Sequence, residues 1–137
     1  MITIRDKVRF VETDMMGVVH HANYLRWFEM GRVAYLRACG ITLGELMDAG
    51  VVLPITEVKS QYKNSCTFDD DFEVQVKMTA FNKAKMEFNY KIIRLRDGAG
   101  SLPFKKLILY LLKLFAHTDT RITNLNTIHC RIRMVRC

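Results

Sequence analysis

Proline is nearly absent from this 137-residue chain, with Pro54 and Pro103 the only two, and glycine is modest at seven. That scarcity excludes collagen-like repeats and Pro/Gly-rich low-complexity segments. The apolar runs fall far short of the ~20 residues that a membrane helix needs, so no membrane span is expected. The first residues, Met-Ile-Thr-Ile-Arg-Asp, lack a basic stretch followed by an apolar one, so no signal peptide is expected and the expected location is the cytoplasm. The four cysteines, Cys39, Cys66, Cys130 and Cys137, form no Cys-x-x-Cys pair and no His-x-x-x-His accompanies them. Four reduced thiols, no metal and no cofactor are therefore expected. Acidic residues are missing from one region: residues 102–137 carry seven Lys and Arg but only Asp119, whereas residues 1–101 carry 14 basic and 13 acidic side chains. Of the net charge of +7, +6 thus resides in the last quarter, and the overall basicity is no argument for nucleic acid as a partner of the whole chain.

What is present is half hydrophobic and patterned for a core. Residues 3–11 alternate loosely and predict a first strand. A turn-rich stretch over 12–17 follows, with Asn23 at the expected N-cap of a helix. Leu25, Phe28, Val33 and Leu36, with Trp27, Met30 and Ala34 between, predict one broad helical face to about Cys39, with Gly40 as the stop. Thr42 and Glu45 read as a capping box opening a short helix that Gly50 ends. Three strands are then predicted: 51–62, interrupted by Pro54 as at an edge or bulge; 72–81, with Phe72, Val74, Val76 and Met78 on one face; and 85–95, with Met86, Phe88, Tyr90 and Ile92 on one face. The second and third are joined through Asn82-Lys83-Ala84 as a hairpin, and 66–71 is an acidic turn. Residues 98–101 read as a break, 107–115 as a buried strand or short helix, and 128–133 as an amphipathic strand with a basic face. Strand, long helix, short helix, then antiparallel strands argues an α+β domain with one helix packed on one sheet.

Asp14 and Gly17 stand at positions i and i+3 of a turn. One reading makes Asp14 a turn residue whose side chain holds the backbone. The other makes it a working carboxylate: it follows a strand, a glycine lets backbone approach a ligand, and a helix begins shortly after, whose free N–H groups suit a developing oxyanion. A carboxylate facing an oxyanion site is what acyl hydrolysis needs. Both readings stand at this level.

Residues 12–32, Glu-Thr-Asp-Met-Met-Gly-Val-Val-His-His-Ala-Asn-Tyr-Leu-Arg-Trp-Phe-Glu-Met-Gly-Arg, closely resemble the signature of the 4-hydroxybenzoyl-CoA thioesterase family, nearest to its Tol-Pal-associated acyl-CoA thioesterase subgroup. Similarity continues through Ile41, Pro54-Ile55, Tyr62-Lys63 and Asp70 to about Asp97. The resemblance implies a hotdog fold, an antiparallel sheet wrapped round one long helix, spanning 1–137 as a single domain. It implies a homodimer or homotetramer with sites at subunit interfaces and an acyl-CoA substrate, short-chain aliphatic or aromatic. It places the catalytic carboxylate at Asp14, acting as general base or nucleophile. It places the oxyanion donor at the backbone N–H near His21; the His21 ring itself could position substrate or act as a second base near Asp14, and the orienting role is favoured. Gly17, Val19, Asn23, Tyr24 and Lys63 are the implied substrate-binding residues.

Several residues carry a plainer reading. Glu29 could be a helix carboxylate of another thioesterase branch, but an ion pair with Arg32 is favoured. Lys59, Lys63 and Lys77 suit coenzyme A phosphates or a solvated strand face. Residues 98–137 depart from the family's ending, through divergence in which 107–115 supplies a closing strand or through a frame-shifted 3′ region of the encoding DNA. The alternative function is a non-catalytic acyl-carrier or protein-interaction module using the basic tail, with Arg131 and Arg133 on one face.

Overall fold

A computed structural model of the chain describes residues 1–62, 64–81, 85–96, 100–110 and 112–113, with the side chains of 52 and of 100–113 outside the description. Strand β1 (Ile2–Lys7) leads through a 3₁₀ turn (Phe10–Glu12) to helix α1 (Asn23–Ala38) and helix α2 (Leu43–Asp48). Strands β2 (Val51–Val52), β3 (Ile55–Lys59), β4 (Asp71–Phe81), β5 (Lys85–Arg94), β6 (Gly100–Tyr110) and β7 (Leu112–Lys113) follow. Five of them form one antiparallel sheet in the order β1-β4-β5-β6-β3, and β2 pairs with β7.

The period-2 pattern of β4 and β5 decides which face the helix covers. Phe72, Val74, Val76 and Met78, with Met86, Phe88, Tyr90 and Ile92, are all buried, as the alternation predicts. Helix α1 lies on that face. Trp27 stacks on Phe72 at 3.8 Å between ring centroids, Phe28 meets Tyr90 at 4.7 Å, and Tyr35 meets Phe88 edge-on at 5.6 Å. Each large side chain so buried contributes roughly 1.5–3 kcal/mol. Gly31 sits at the closest approach, where a Cβ would stand 2.5 Å from Val76 Cγ2. The helix ends as expected: the Gly40 N–H bonds to the Arg37 carbonyl and the Ile41 N–H to the Leu36 carbonyl. Thr42 and Glu45 form the expected capping box on α2.

Several expectations need correction. The first strand ends at Lys7, not at residue 11. Its pairing with β4 runs out at Lys7 and Asp71, and the chain then coils into the 3₁₀ turn with Phe10 and Val11 exposed. Asn23 is not the N-cap. Ala22 holds that position, and the His20 ring nitrogen accepts its N–H at 3.3 Å. Asn23 instead donates from Nδ2 to the Glu12 carbonyl at 2.8 Å. The buried stripe of α1 is rotated relative to the expected one. Tyr24, Trp27, Phe28, Gly31, Arg32, Tyr35 and Leu36 face inward, while Leu25 is 43 % exposed. Aromatic rings reaching the sheet set this rotation. Strand 51–62 is split at Leu53-Pro54, and its second half, β3, ends at Lys59 on the sheet edge, with a bulge between Ile55 and Glu57. Gly100 and Ser101 open β6 rather than forming a break, whereas the strand alternative for 107–115 holds over its described residues, 107–110 in β6 and 112–113 in β7. The β5–β6 register shifts between Tyr90 and Ile92, where Pro103 passes, in keeping with proline's confinement to bulges within sheets. The Asn82-Lys83-Ala84 connection and the 128–133 strand lie outside the described residues, although Phe81 and Met86 pair as hairpin neighbours.

Candidate active site

Asp14 is presented by a tight loop between the 3₁₀ turn and α1. Thr13 bridges to Val19, the Asp14 N–H donates to the Val18 carbonyl, and the Gly17 N–H donates to the Asp14 carbonyl, both at 2.9 Å. Gly17 has φ +72°, a left-handed conformation that side-chain-bearing residues rarely adopt. Asp14 Oδ1 accepts the Met16 N–H at 2.8 Å, so the turn role expected from spacing is real. The half-buried Asp14 side chain makes no other bond among the described residues, which leaves Oδ2 without a protein partner there.

The loop is anchored from two sides. On one, Val19 donates to the Cys66 carbonyl at 2.8 Å and Val18 bridges to Thr67. Cys66 in turn donates its N–H to Tyr24 Oη at 3.3 Å. Asp70, buried at the end of this turn, accepts both the Thr67 N–H and the Thr67 hydroxyl and lies 3.4 Å from Arg96. Burial pushes the Tyr24 hydroxyl well above its ordinary value and the Cys66 thiol up to about 11, so both stay neutral near pH 7. On the other side stands Glu12, 6 % exposed. Its carboxylate accepts Trp27 Nε1 and the Arg9 N–H, each at 2.9 Å, and its carbonyl accepts the His20 N–H and Asn23 Nδ2.

Between these anchors lies a pocket of about 270 Å³ at the N-terminal end of α1. Of the residues singled out from sequence, Asp14, Val19, His21 and Tyr24 line it, and Gly17 and Asn23 do not. Gly17 shapes the loop that carries Asp14, and Asn23 ties the helix start to Glu12. Lys63 lies outside the described residues. The His21 carbonyl accepts from the Tyr62 hydroxyl at 3.2 Å, while the His21 N–H has no acceptor among the described residues. That open amide sits where the helix dipole is positive. The His21 ring lies against both His20 and Tyr62.

Sequence reasoning missed Tyr62, Asn64 and Ser65 as pocket walls and Glu12 as an anchor. Tyr62 stood in the matched pattern without a role; Glu12 opened the signature segment, but its partner lies 15 residues away. Glu29 stands 3.6 Å from Arg32, as the plainer reading had it, and Lys59 stands 3.6 Å from Glu57. Among the described residues no cluster of His, Cys, Asp and Glu could hold a metal, and no helix is long and apolar enough to cross a membrane.

Residues 8–127 match the profile of the thioesterase-like superfamily. The chain belongs to that superfamily. YneP of Bacillus subtilis, provisionally named an acyl-CoA thioesterase, is 33 % identical over 99 residues, covering 72 % of this chain and 70 % of that protein. YbgC of Escherichia coli O157:H7, named an acyl-CoA thioester hydrolase, is 28 % identical over 87 residues, 64 % of this chain and 65 % of that one. The solved structure of TT1821 from Thermus thermophilus superposes with a TM-score of 0.82 at 25 % identity, covering 96 % of this chain and 97 % of that one. The 4-hydroxybenzoyl-CoA thioesterase of Pseudomonas sp. strain CBS-3 superposes with a TM-score of 0.76 at 16 % identity, covering 93 % and 97 %. The α+β sheet around one helix is therefore the expected hotdog fold, and the enzyme belongs to the thioester hydrolases, as the signature segment implied.

Proposed function

We propose that this thioesterase hydrolyses an acyl-CoA, short-chain aliphatic or aromatic, to the free acid and CoA, with Asp14 as its carboxylate and the His21 backbone N–H as oxyanion donor. The observation that carries the reading is one pocket lined by both residues, in which Asp14 Oδ2 and the His21 N–H have no partner among the described residues. The curated relatives named for acyl-CoA hydrolysis support the substrate class.

Two routes are open to this geometry. As general base, the Asp14 carboxylate takes a proton from water while the water oxygen adds to the thioester carbonyl. The tetrahedral oxyanion collapses, the C–S bond breaks, and CoA leaves as thiolate to be protonated. As nucleophile, a carboxylate oxygen adds instead, giving a mixed anhydride and CoA, and water then cleaves the anhydride. Either oxyanion gains from the N-terminal end of α1, where a single good donor is worth ~3 kcal/mol. Val19 and Tyr24 shape the acyl pocket, and Lys63 is assigned to the coenzyme A phosphates. We assign the chain to a single hotdog domain working as a homodimer or homotetramer in the cytoplasm.

The test is release of free CoA from a panel of acyl-CoAs by the parent and by Asp14→Asn. Turnover by the parent and its loss in the variant is the expected result. Equal turnover in both removes Asp14 from the chemistry, and no turnover of any acyl-CoA by the parent overturns the thioesterase reading.

A further inference from the structure

Two buried carboxylates flank the pocket without a part in the hydrolysis: Asp70 holds the 66–71 turn, and Glu12 touches both halves of the site. We infer that Glu12 is a positioning residue: it sets the distance and angle between the Asp14 carboxylate and the His21 amide. The inference rests on the roles proposed above for those two groups.

The geometry is a four-way junction. Glu12 lies two residues before Asp14, at the end of the 3₁₀ turn. Its carbonyl oxygen accepts the His20 N–H at 2.9 Å and Asn23 Nδ2 at 2.8 Å, so the residues on either side of His21 and Ala22 hang from one atom. One carboxylate oxygen accepts Trp27 Nε1 at 2.9 Å, on the second turn of α1. The other accepts the Arg9 N–H at 2.9 Å, which closes the 3₁₀ turn. Helix start, helix body and the entry to the Asp14 loop are thereby held against one residue.

Trp27 is itself fixed, 1 % exposed and stacked on Phe72 of β4, so the junction is referenced to the sheet. A carboxylate suits the junction because it is acceptor-only and both of its partners are donors. A glutamine keeps the shape but can satisfy only one of them. Its amide nitrogen meets either the Arg9 N–H or the indole N–H as a second donor, and the 3₁₀ turn or the indole must shift. Catalysis is sensitive to such shifts, because a displacement of about 1 Å at the reacting groups can cost a hundredfold in rate.

The experiment compares wild type, Glu12→Gln, Trp27→Phe and the double variant by CoA release, by thermal melt and by the emission of Trp27, the only tryptophan in the chain. Trp27→Phe breaks the same bond from the helix side, so the test stands even if Glu12→Gln folds poorly. The expected result is kcat lowered about ten- to a hundredfold in each folded single variant with KM within twofold. The double variant is expected to lose no more than the worse single, and the emission to shift in Glu12→Gln. Unchanged kcat per folded enzyme in both single variants overturns the inference, whatever the melting temperature does, as does a rise in KM alone. Multiplicative losses overturn it too, because residues acting through one bond do not add. If the parent hydrolyses no acyl-CoA, the proposed function fails on its own. The junction is then read by amide exchange: faster exchange of His20 in Glu12→Gln supports it, and unchanged exchange overturns it.

Discussion

Replacing Gly31 with alanine pits helix propensity against packing, and the structure says which wins. Alanine in a helix interior is favoured over glycine by about 1 kcal/mol. At Gly31, however, the new Cβ would stand 2.5 Å from Val76 Cγ2, 3.2 Å from Val74 Cγ1 and 3.6 Å from Tyr90 Cε1. Both valines are fully buried in β4, and β-branched side chains have little rotamer freedom to yield. Real Cβ atoms do not approach within 3 Å, so α1 must lift from the sheet or the sheet must bend. Overpacking of a full core costs about 1–3 kcal/mol, and stiff neighbours put this case near the top of that range. The net expectation is a loss of about 1–2 kcal/mol. Gly44→Ala on α2 is the control. Its Cβ meets only Thr42 Oγ1, at 3.9 Å in ordinary contact, so propensity acts alone and the variant gains up to about 1 kcal/mol. Urea titrations of both variants check the signs through their midpoints, with the slope unchanged in each. A stabilised Gly31→Ala would refute the close seating of α1 on β4, and with it the argument that the sheet fixes the height of the helix start.

Two further predictions concern the scaffold. Thr42→Ala removes the hydroxyl that accepts the Glu45 N–H at 3.2 Å and should cost about 1 kcal/mol in the same titration, with CoA release per folded molecule unchanged. Burial raises the Cys66 thiol to about 11 from an ordinary value of 9.0, so the unfolded chain gives up that proton first as pH rises. This contribution is fully present below about pH 9 and is lost as pH climbs towards 11, and Tyr24 and Tyr90, raised by burial, act in the same direction. Unfolding midpoints across pH 8–11 check the fall, and Cys66→Ser should flatten its early part.

The fold was legible wherever one periodicity met one buried face. Strands β4 and β5 read off directly, because each second residue from Phe72 to Met78 and from Met86 to Ile92 faces α1. The capping box of α2 is a local device, complete within four residues, and was legible for that reason. The start of α1 was not. Whether Asn23 caps the helix is decided by the backbone at Ala22 and by a carbonyl 11 residues back, and nothing in the local spacing states this. Burial also overrode hydropathy on α1, where the polar-tipped Tyr24 and Tyr35 are inside and Leu25 is out. The site divides in the same way. Asp14 and His21 lay in one contiguous segment, whereas Tyr62 reaches the His21 carbonyl across 41 residues of sequence and Glu12 reaches Trp27 across 15. Such pairings are set by the fold and become visible only with it.

The two readings of Asp14 were alternatives only in the sequence. In the structure Oδ1 is committed to the Met16 N–H and Oδ2 is not committed within the described chain, so one carboxylate can hold the turn with one oxygen and serve a substrate with the other. The turn bond also fixes the side-chain rotamer, which removes an ordering cost that a free aspartate would meet on reaching the reaction. This division makes Asp14→Asn the discriminating change. Asparagine keeps an oxygen that accepts the Met16 N–H and is at home in such turns, so the loop and the unfolding midpoint should persist. It replaces the free oxygen by an amide nitrogen that neither takes a proton from water nor attacks a carbonyl. Asp14→Ala loses both functions and should cost about 1 kcal/mol of stability as well as turnover. If Asp14→Asn kept full turnover while Asp14→Ala lost it, Asp14 would be a turn residue alone, and the free oxygen would have no part in the chemistry.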